Sequence, residues 1–352
     1  MIEIFTGNLK LNLFLILILN LVLFYFMNFI ILRKNFLIDT KNVSIHKQLI
    51  SKDSVPISGG IIILINFLLF NFFGSFINQI IIIIIFLIGF LADIQKFNSP
   101  LKRLIYQLFI ILIFVSINDL FIRSIRIDFF DFYLNYNLIS IVFTTFCFLI
   151  LINGSNFIDG SNLQCSGYYL AILTILIFLD LNFVVIENIE IVYFLYPILI
   201  SFIVYNFFNK SYLGDGGTYL LSLIIGYILI NFQINKNVSP YFIVLFLWYP
   251  AFENLFSILR RIFSKKLRPE EPDLLHLHHL IFKFINKNYK FTNNFKFSIS
   301  GIILNLFNLI IFCIGSFFIY STTKLILLIF LCVSLYLLSY FILLSKLKIT
   351  ND

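Results

Sequence analysis

Residues 152–162 read Ile-Asn-Gly-Ser-Asn-Phe-Ile-Asp-Gly-Ser-Asn and follow without a break from an apolar run over 137–152. A carboxylate in the middle of a bilayer costs about 2.5–3.5 kcal/mol, and stranded carboxamides are also unfavourable, so this polar knot belongs at a membrane surface or in a wet cavity. Three further segments carry similar chemistry. Asp215 lies in Gly214-Asp215-Gly216-Gly217, where backbone amides can approach a phosphate while the carboxylate holds a hard cation. The same residues also make ordinary tight turns. His276, His278 and His279 follow Arg260, Arg261, Lys265, Lys266 and Arg268. Histidines beside arginine and lysine suit phosphate oxygens as charge-assisted donors. Zinc is disfavoured, because Cys165 is the one cysteine in a polar connecting segment. Asp93 ends an apolar run, and Gln107 lies one turn inside the next, where it needs a polar partner. His46, with Asp39, Lys41 and Lys47, adds cationic and acidic groups in the first basic loop. Carboxylates for Mg²⁺ together with cations for a leaving phosphate are what metal-dependent attack on a diphosphate requires.

The elements that must position these groups are apolar helices. With 61% hydrophobic residues, 12% charged residues and a mean hydropathy of +1.01, the 352-residue chain is excluded from the soluble globular class. Eleven runs approach the roughly 20 residues that a helix needs to cross the hydrocarbon core: 11–32, 59–75, 77–91, 104–118, 137–152, 167–182, 191–206, 217–232, 240–258, 299–319 and 325–345. The first is too long for a signal-peptide core and lacks a small-residue cleavage site, so it is read as a retained helix. The fold class is an all-α polytopic membrane protein forming one domain over 1–352, with a long polar loop over 259–298. With the N-terminus outside, the segments 33–58, 92–103, 153–166, 207–216, 259–298 and 346–352 face the cytoplasm and hold 20 of the 25 lysines and arginines. That asymmetry is the positive-inside pattern, so the net charge of +8 reflects orientation and not a nucleic-acid partner. Every histidine and the aspartate-bearing motifs then share one face of the bilayer. One reactant is therefore expected to be soluble and polyanionic, and the other a lipid. The four cysteines show no paired spacing and imply no disulfide framework. The alternation around Arg126-Ile127-Asp128-Phe129 predicts a short outer strand. An amphipathic helix resting on the bilayer is a second reading of the histidine segment.

The motifs occur in a recognisable order: Asp39, His46, Pro56 and Gly59-Gly60; GFLAD at 89–93 and SPLKRLIYQ at 99–107; NGSNFIDGSN at 153–162; Asn206, Lys210 and LGDGGT at 213–218; and Arg260-Arg261 with HLHHL at 276–280. In this the chain resembles the polyprenyl-phosphate N-acetylhexosamine-1-phosphate transferase family, a glycosyltransferase family 4 type. The His-Leu-His-His form is more similar to the undecaprenyl-phosphate GlcNAc-1-phosphate branch than to the phospho-MurNAc-pentapeptide transferase. The resemblance implies transfer of a sugar 1-phosphate from a UDP-sugar to undecaprenyl phosphate. UMP is released, and a lipid-linked surface glycan such as O-antigen or capsule is begun. It also implies a multi-pass protein of the bacterial inner membrane, a homodimer, and Mg²⁺ as cofactor with Mn²⁺ able to substitute.

Carried over by position, Asp215 is the implied metal ligand with Asn156 beside it. Asp93, Asp159, His276, His278 and His279 are the implied catalytic positions, and His46, Asn153, Asn156, Asn162, Asn206 and Lys210 the implied substrate contacts. Three features depart from the family pattern: Ala92 replaces the first of two adjacent aspartates, Asn162 replaces a second carboxylate after Asp159, and the segment between Asn206 and Asp215 is one residue short. A member that has lost catalysis and serves as a scaffold is one alternative, motivated by Ala92. A transporter or flippase is another, which would place ionisable residues in the middle of helices.

Overall fold

The computed structural model describes residues 9–39, 54–97, 99–182, 184, 186, 188–236, 238–264 and 275–347. Among these the chain forms α1 (Leu9–Lys34), β1 (Ile38–Asp39), β2 (Val55–Pro56), α2 (Gly59–Phe70), α3 (Phe76–Asp93), α4 (Pro100–Ile117), α5 (Asp128–Leu134), α6 (Asn137–Ile158), α7 (Gln164–Asn182), α8 (Ile189–Phe207), α9 (Gly214–Lys236), α10 (Pro240–Ser264), α11 (Leu277–Asn288), α12 (Asn293–Ser316) and α13 (Thr322–Leu347). Ten of these helices are long and apolar enough to cross a membrane. The protein is thus an all-α, polytopic membrane protein, as its composition requires.

The run 59–75 is a correction in detail. α2 has 12 helical residues, or about 18 Å at 1.5 Å per residue, which is shorter than the hydrocarbon core. It stops at Asn71, whose φ of 45° and backbone N–H to the Phe67 carbonyl form a left-handed C-terminal cap. The outer strand expected around Arg126 is absent, and α5 begins at Asp128. The Asp131 carboxylate accepts the Ser124 hydroxyl at 2.6 Å and the Ile125 N–H at 2.7 Å, while Arg126 takes a φ of 58°. Together these turn the chain where an extended segment would continue.

α9 is the enclosed centre of the bundle, in contact with α2, α3, α6 and α10. Glycines permit that density. A β-carbon at Gly60 would run into the backbone of Gly217, and one at Gly89 into the backbone of Asp215 and Gly216. Small residues allow helices to approach closely where no hydrophobic effect drives association in lipid. α1, α4 and α13 instead present large apolar side chains outward, among them Phe14, Phe109 and Phe330. Buried and half-buried amide pairs join neighbouring helices. Asn66 donates to Asn20 at 2.8 Å, and Asn78 and Asn118 donate to one another at 2.8 and 2.9 Å. All four cysteines are unpaired.

Pro250 inside α10 lacks the N–H that would bond the Phe246 carbonyl, and the Tyr168 hydroxyl of α7 donates there instead, at 2.8 Å. At the same level Gly154 lets α6 close on the Pro250 carbonyl. An apolar cavity of about 240 Å³ lies between α6, α9 and α10, lined by residues that include Phe148, Leu151, Leu229, Leu247 and Trp248.

Candidate functional site

The site is built around the first turn of α9. An α-helix begins with four backbone N–H groups that lack helical partners, at the positive end of its dipole. Asp93, the last residue of α3, meets that need from outside the helix: Oδ1 accepts the N–H of Asp215 at 2.8 Å, and Oδ2 accepts the N–H of Gly216 at 3.1 Å. Gly214 allows the approach, with a φ of 77° and no β-carbon to collide with the Asp93 carboxylate. The glycines of this motif therefore serve helix capping and close packing, where the sequence suggested a phosphate cradle.

Asp215 points to the other side of the turn. Its Oδ2 receives Nη1 of Arg103 at 2.8 Å, with the two side chains 30% and 20% exposed respectively. Arg103 comes from the start of α4, where Ser99 and Pro100 form the N-terminal cap. Its Nη1 also lies 3.4 Å from the Tyr219 hydroxyl. Thr218, one turn into α9, donates to Asp159 Oδ2 at 3.3 Å. Three aspartates from α3, the end of α6 and α9 thus converge with one arginine.

The histidines meet the knot next to Asp159, at Gly160. His276 is the N-cap residue of α11, in extended backbone with φ of −66° and ψ of 150°. His276, His278 and His279 are all buried. The rings of His276 and His278 lie parallel with centroids 5.5 Å apart, and those of His278 and His279 lie 4.0 Å apart. The knot touches them directly. A β-carbon at Gly160 would run into His278 Nε2, and the Phe157 ring lies 5.9 Å from that of His276. Arg261 places its guanidinium 5.6 Å from the centre of the Phe157 ring. Arg260 holds the approach to α11 by donating to the Leu275 carbonyl at 2.9 Å. α11 is amphipathic, but its histidine face is buried in the protein, with the helix packed on α12 and α13.

The carboxamides separate into two groups. Asn156 is half-buried beside Phe157, and among the described residues its side chain makes no hydrogen bond. Asn153 is committed to Gln107 Oε1 at 3.0 Å and to the Leu149 carbonyl at 2.9 Å, which supplies the partner that Gln107 needed. Asn162 is buried between Ser298 of α12, at 3.3 Å, and Asn209. Asn206 accepts the Leu163 N–H at 2.6 Å and donates to the Ser211 carbonyl at 2.8 Å. Lys210 is exposed in the turn between α8 and α9. His46 lies outside the described residues, as do Lys265, Lys266 and Arg268.

Sequence reasoning did not single out Arg103, Thr218, Gly160, Glu253 or Tyr336. For Glu253 a signal existed, since it is a carboxylate inside the apolar run 240–258 and needs a partner there. Arg103 had a weaker one, as a cation one turn from Gln107. Thr218 and Gly160 lie within quoted motifs, but which partner each meets is set by tertiary contact, as it is for Tyr336.

Among the described residues no three His, Cys, Asp or Glu side chains stand close enough together to hold a metal ion. Mg²⁺ is commonly held by one or two carboxylates together with water and substrate phosphates. Asp215, partly exposed, is a carboxylate that could hold a cation in this way.

The model of Glycosyl transferase family 4 matches residues 75–233, from the turn before α3 to the last turns of α9. This stretch carries Asp93, Arg103, the knot, Asn206, Lys210 and Asp215, while the histidine segment lies beyond it. The matched stretch is a little under half of the chain. No curated protein matches the chain.

Proposed function

We propose that the protein transfers a HexNAc 1-phosphate from a UDP-sugar to undecaprenyl phosphate at the cytoplasmic face of a bacterial inner membrane. An oxygen of the lipid phosphate attacks the sugar-bearing phosphorus of the donor. The bond from that phosphorus to the bridging oxygen breaks, UMP leaves with the electron pair, and a diphosphate-linked lipid sugar remains. The acceptor needs little help to be a nucleophile, since a phosphate monoester with a second pKa of about 6 is already ionised near neutral pH. On this reading the replacement of a neighbouring carboxylate by Ala92 is compatible with turnover.

The observation that supports the proposal is that Asp215 with Arg103, and Asp159 through Thr218, gather at the start of α9, while Gly160 beside Asp159 packs against the buried His278. Asp215 and the donor diphosphate would hold Mg²⁺, with Asn156 beside them. When bound, the cation neutralises charge on the transferring phosphoryl group. Arg103 balances the carboxylate and faces the anionic substrate, and His278 and His279 supply ring N–H donors for phosphate oxygens. Asp93 keeps the start of α9 in register, because both of its oxygens are engaged by backbone amides. The apolar cavity beside α6 suits the prenyl chain. Leu151, in its wall, is five residues from Asn156, about 7.5 Å along the helix.

The test is UMP release by purified protein supplied with undecaprenyl phosphate, Mg²⁺ and a panel of UDP-sugars. Turnover with a UDP-HexNAc is expected. Folded protein that turns over none of the panel would refute the proposal.

A further inference from the structure

Glu253 lies inside α10 with no solvent exposure. Both of its oxygens are used, and by different parts of the molecule. Oε1 lies 2.8 Å from His276 Nδ1, and Oε2 accepts the hydroxyl of Tyr336, from α13, at 2.7 Å. A carboxyl group enclosed among apolar helices persists where its oxygens are matched to donors, and here the phenol and the imidazole supply one each. The amide pairs Asn20–Asn66 and Asn78–Asn118 join neighbouring helices on similar principles, but neither touches a residue of the site. Glu253 is directed at the residue that opens the histidine segment.

We propose that Glu253 is a positioning residue that fixes the ring direction and the Nδ1-protonated tautomer of His276, with Tyr336 holding the carboxyl group in place. How His276 is held rests on geometry; what the ring then does rests on the transferase reading. His276 has extended backbone and lies just ahead of α11, so its ring direction is set by side-chain neighbours and not by the helix. Those neighbours include Glu253 at Nδ1, the parallel ring of His278, the His279 ring and the Phe157 ring. The two imidazole nitrogens lie on different sides of the ring. Anchoring Nδ1–H on Glu253 therefore presents Nε2 away from α10, in a single tautomer, as carboxylates do for histidines that must act through the second nitrogen.

The chain has four histidines, so ¹⁵N-histidine NMR of the full-length protein in nanodiscs can resolve His276, assigned by its loss in His276→Gln. The wild type is expected to show a hydrogen-bonded Nδ1–H at His276. Glu253→Gln, which keeps an acceptor, should retain that signal. Glu253→Leu should replace it with the Nε2–H tautomer or a mixture. In the transfer assay Glu253→Leu should lower kcat by about 10–100-fold, the usual range for the loss of a group that orients a working histidine, with KM for the donor within about threefold. The double variant Glu253→Leu/His276→Ala should be no slower than His276→Ala alone. Tyr336→Phe, a gentler change if Glu253→Leu does not fold, should weaken the same NMR signal. An Nδ1–H signal at His276 that is indifferent to Glu253→Leu and Tyr336→Phe overturns the proposal, as does a double variant showing the two losses multiplied. A wild type without turnover whose NMR signal responds to Glu253 refutes the transferase reading and supports the positioning role.

Discussion

Asn156 and Asn206 are the same residue type, within one turn of the same end of their helices and on the same face of the bundle, yet the fold uses them differently. Both carboxamide atoms of Asn206 are taken by backbone groups of the loops on either side, at 2.6 and 2.8 Å. Asn156 stands half-buried three residues before Asp159, with no such commitment among the described residues. The remaining asparagines of the knot fall with Asn206: Asn153 joins α6 to Gln107 of α4, and Asn162 joins the knot to α12. The difference teaches that chemistry and membrane side nominate a residue, but its existing hydrogen bonds decide whether it belongs to the scaffold or to the site. Asp93 and Asp215 repeat the contrast among acids. The first is held by backbone amides, and the second by an arginine at a partly exposed position.

Substitutions can break this division. The largest effect is expected from Asp215→Asn, which removes the carboxylate assigned to the cation and should lower turnover by about 10³-fold or more, several kcal/mol of transition-state stabilisation. Its thermal midpoint should stay near wild type. Asn156→Ala should lower turnover by about 10²-fold, the scale of one lost donor to a reacting oxyanion. Asn206→Ala should do the reverse, destabilising the fold by about 1–3 kcal/mol through stranded backbone groups while each folded molecule keeps most of its activity. Measuring melting and rate per folded molecule side by side would overturn the division if Asn206→Ala proved kinetic and Asn156→Ala structural.

Gly160→Ala sharpens the contact between the knot and the histidines. Its added carbon would displace the His278 ring, and a loss of about 10-fold or more in kcat is expected, since small misplacements in a site can reach 10². The smallest effect belongs to Asn153→Ala. An interhelical hydrogen bond in membranes averages about 0.6 kcal/mol, so a slight drop in melting temperature with rate nearly unchanged is the expected result. A loss comparable to that of Asn156→Ala would place Asn153 in the site.

Much of the architecture was legible because long apolar runs in a membrane have one inexpensive conformation, the helix. The expected strand near Arg126 failed because alternation over four residues is a weak signal, and a single carboxylate, Asp131, was enough to turn the chain. Gln107 was correctly read as needing a partner, since an amide in an apolar helix carries that requirement wherever its partner is. Glu253 carries the same signal more strongly, as a carboxylate inside the apolar run 240–258.

The sequence by itself determined the class of molecule and most of its span-forming segments, because hydrocarbon acts on local composition. Only the tertiary structure decided which of those polar groups meet. Asp93 caps a helix more than 100 residues away in the chain, and His276 meets a carboxyl group from another helix. Such pairings depend on glycines that let helices close to backbone contact and on a proline that leaves a carbonyl for a tyrosine. The physical reason is that a hydrogen bond is specified by the positions of both partners, and one stretch of sequence contains only one of them.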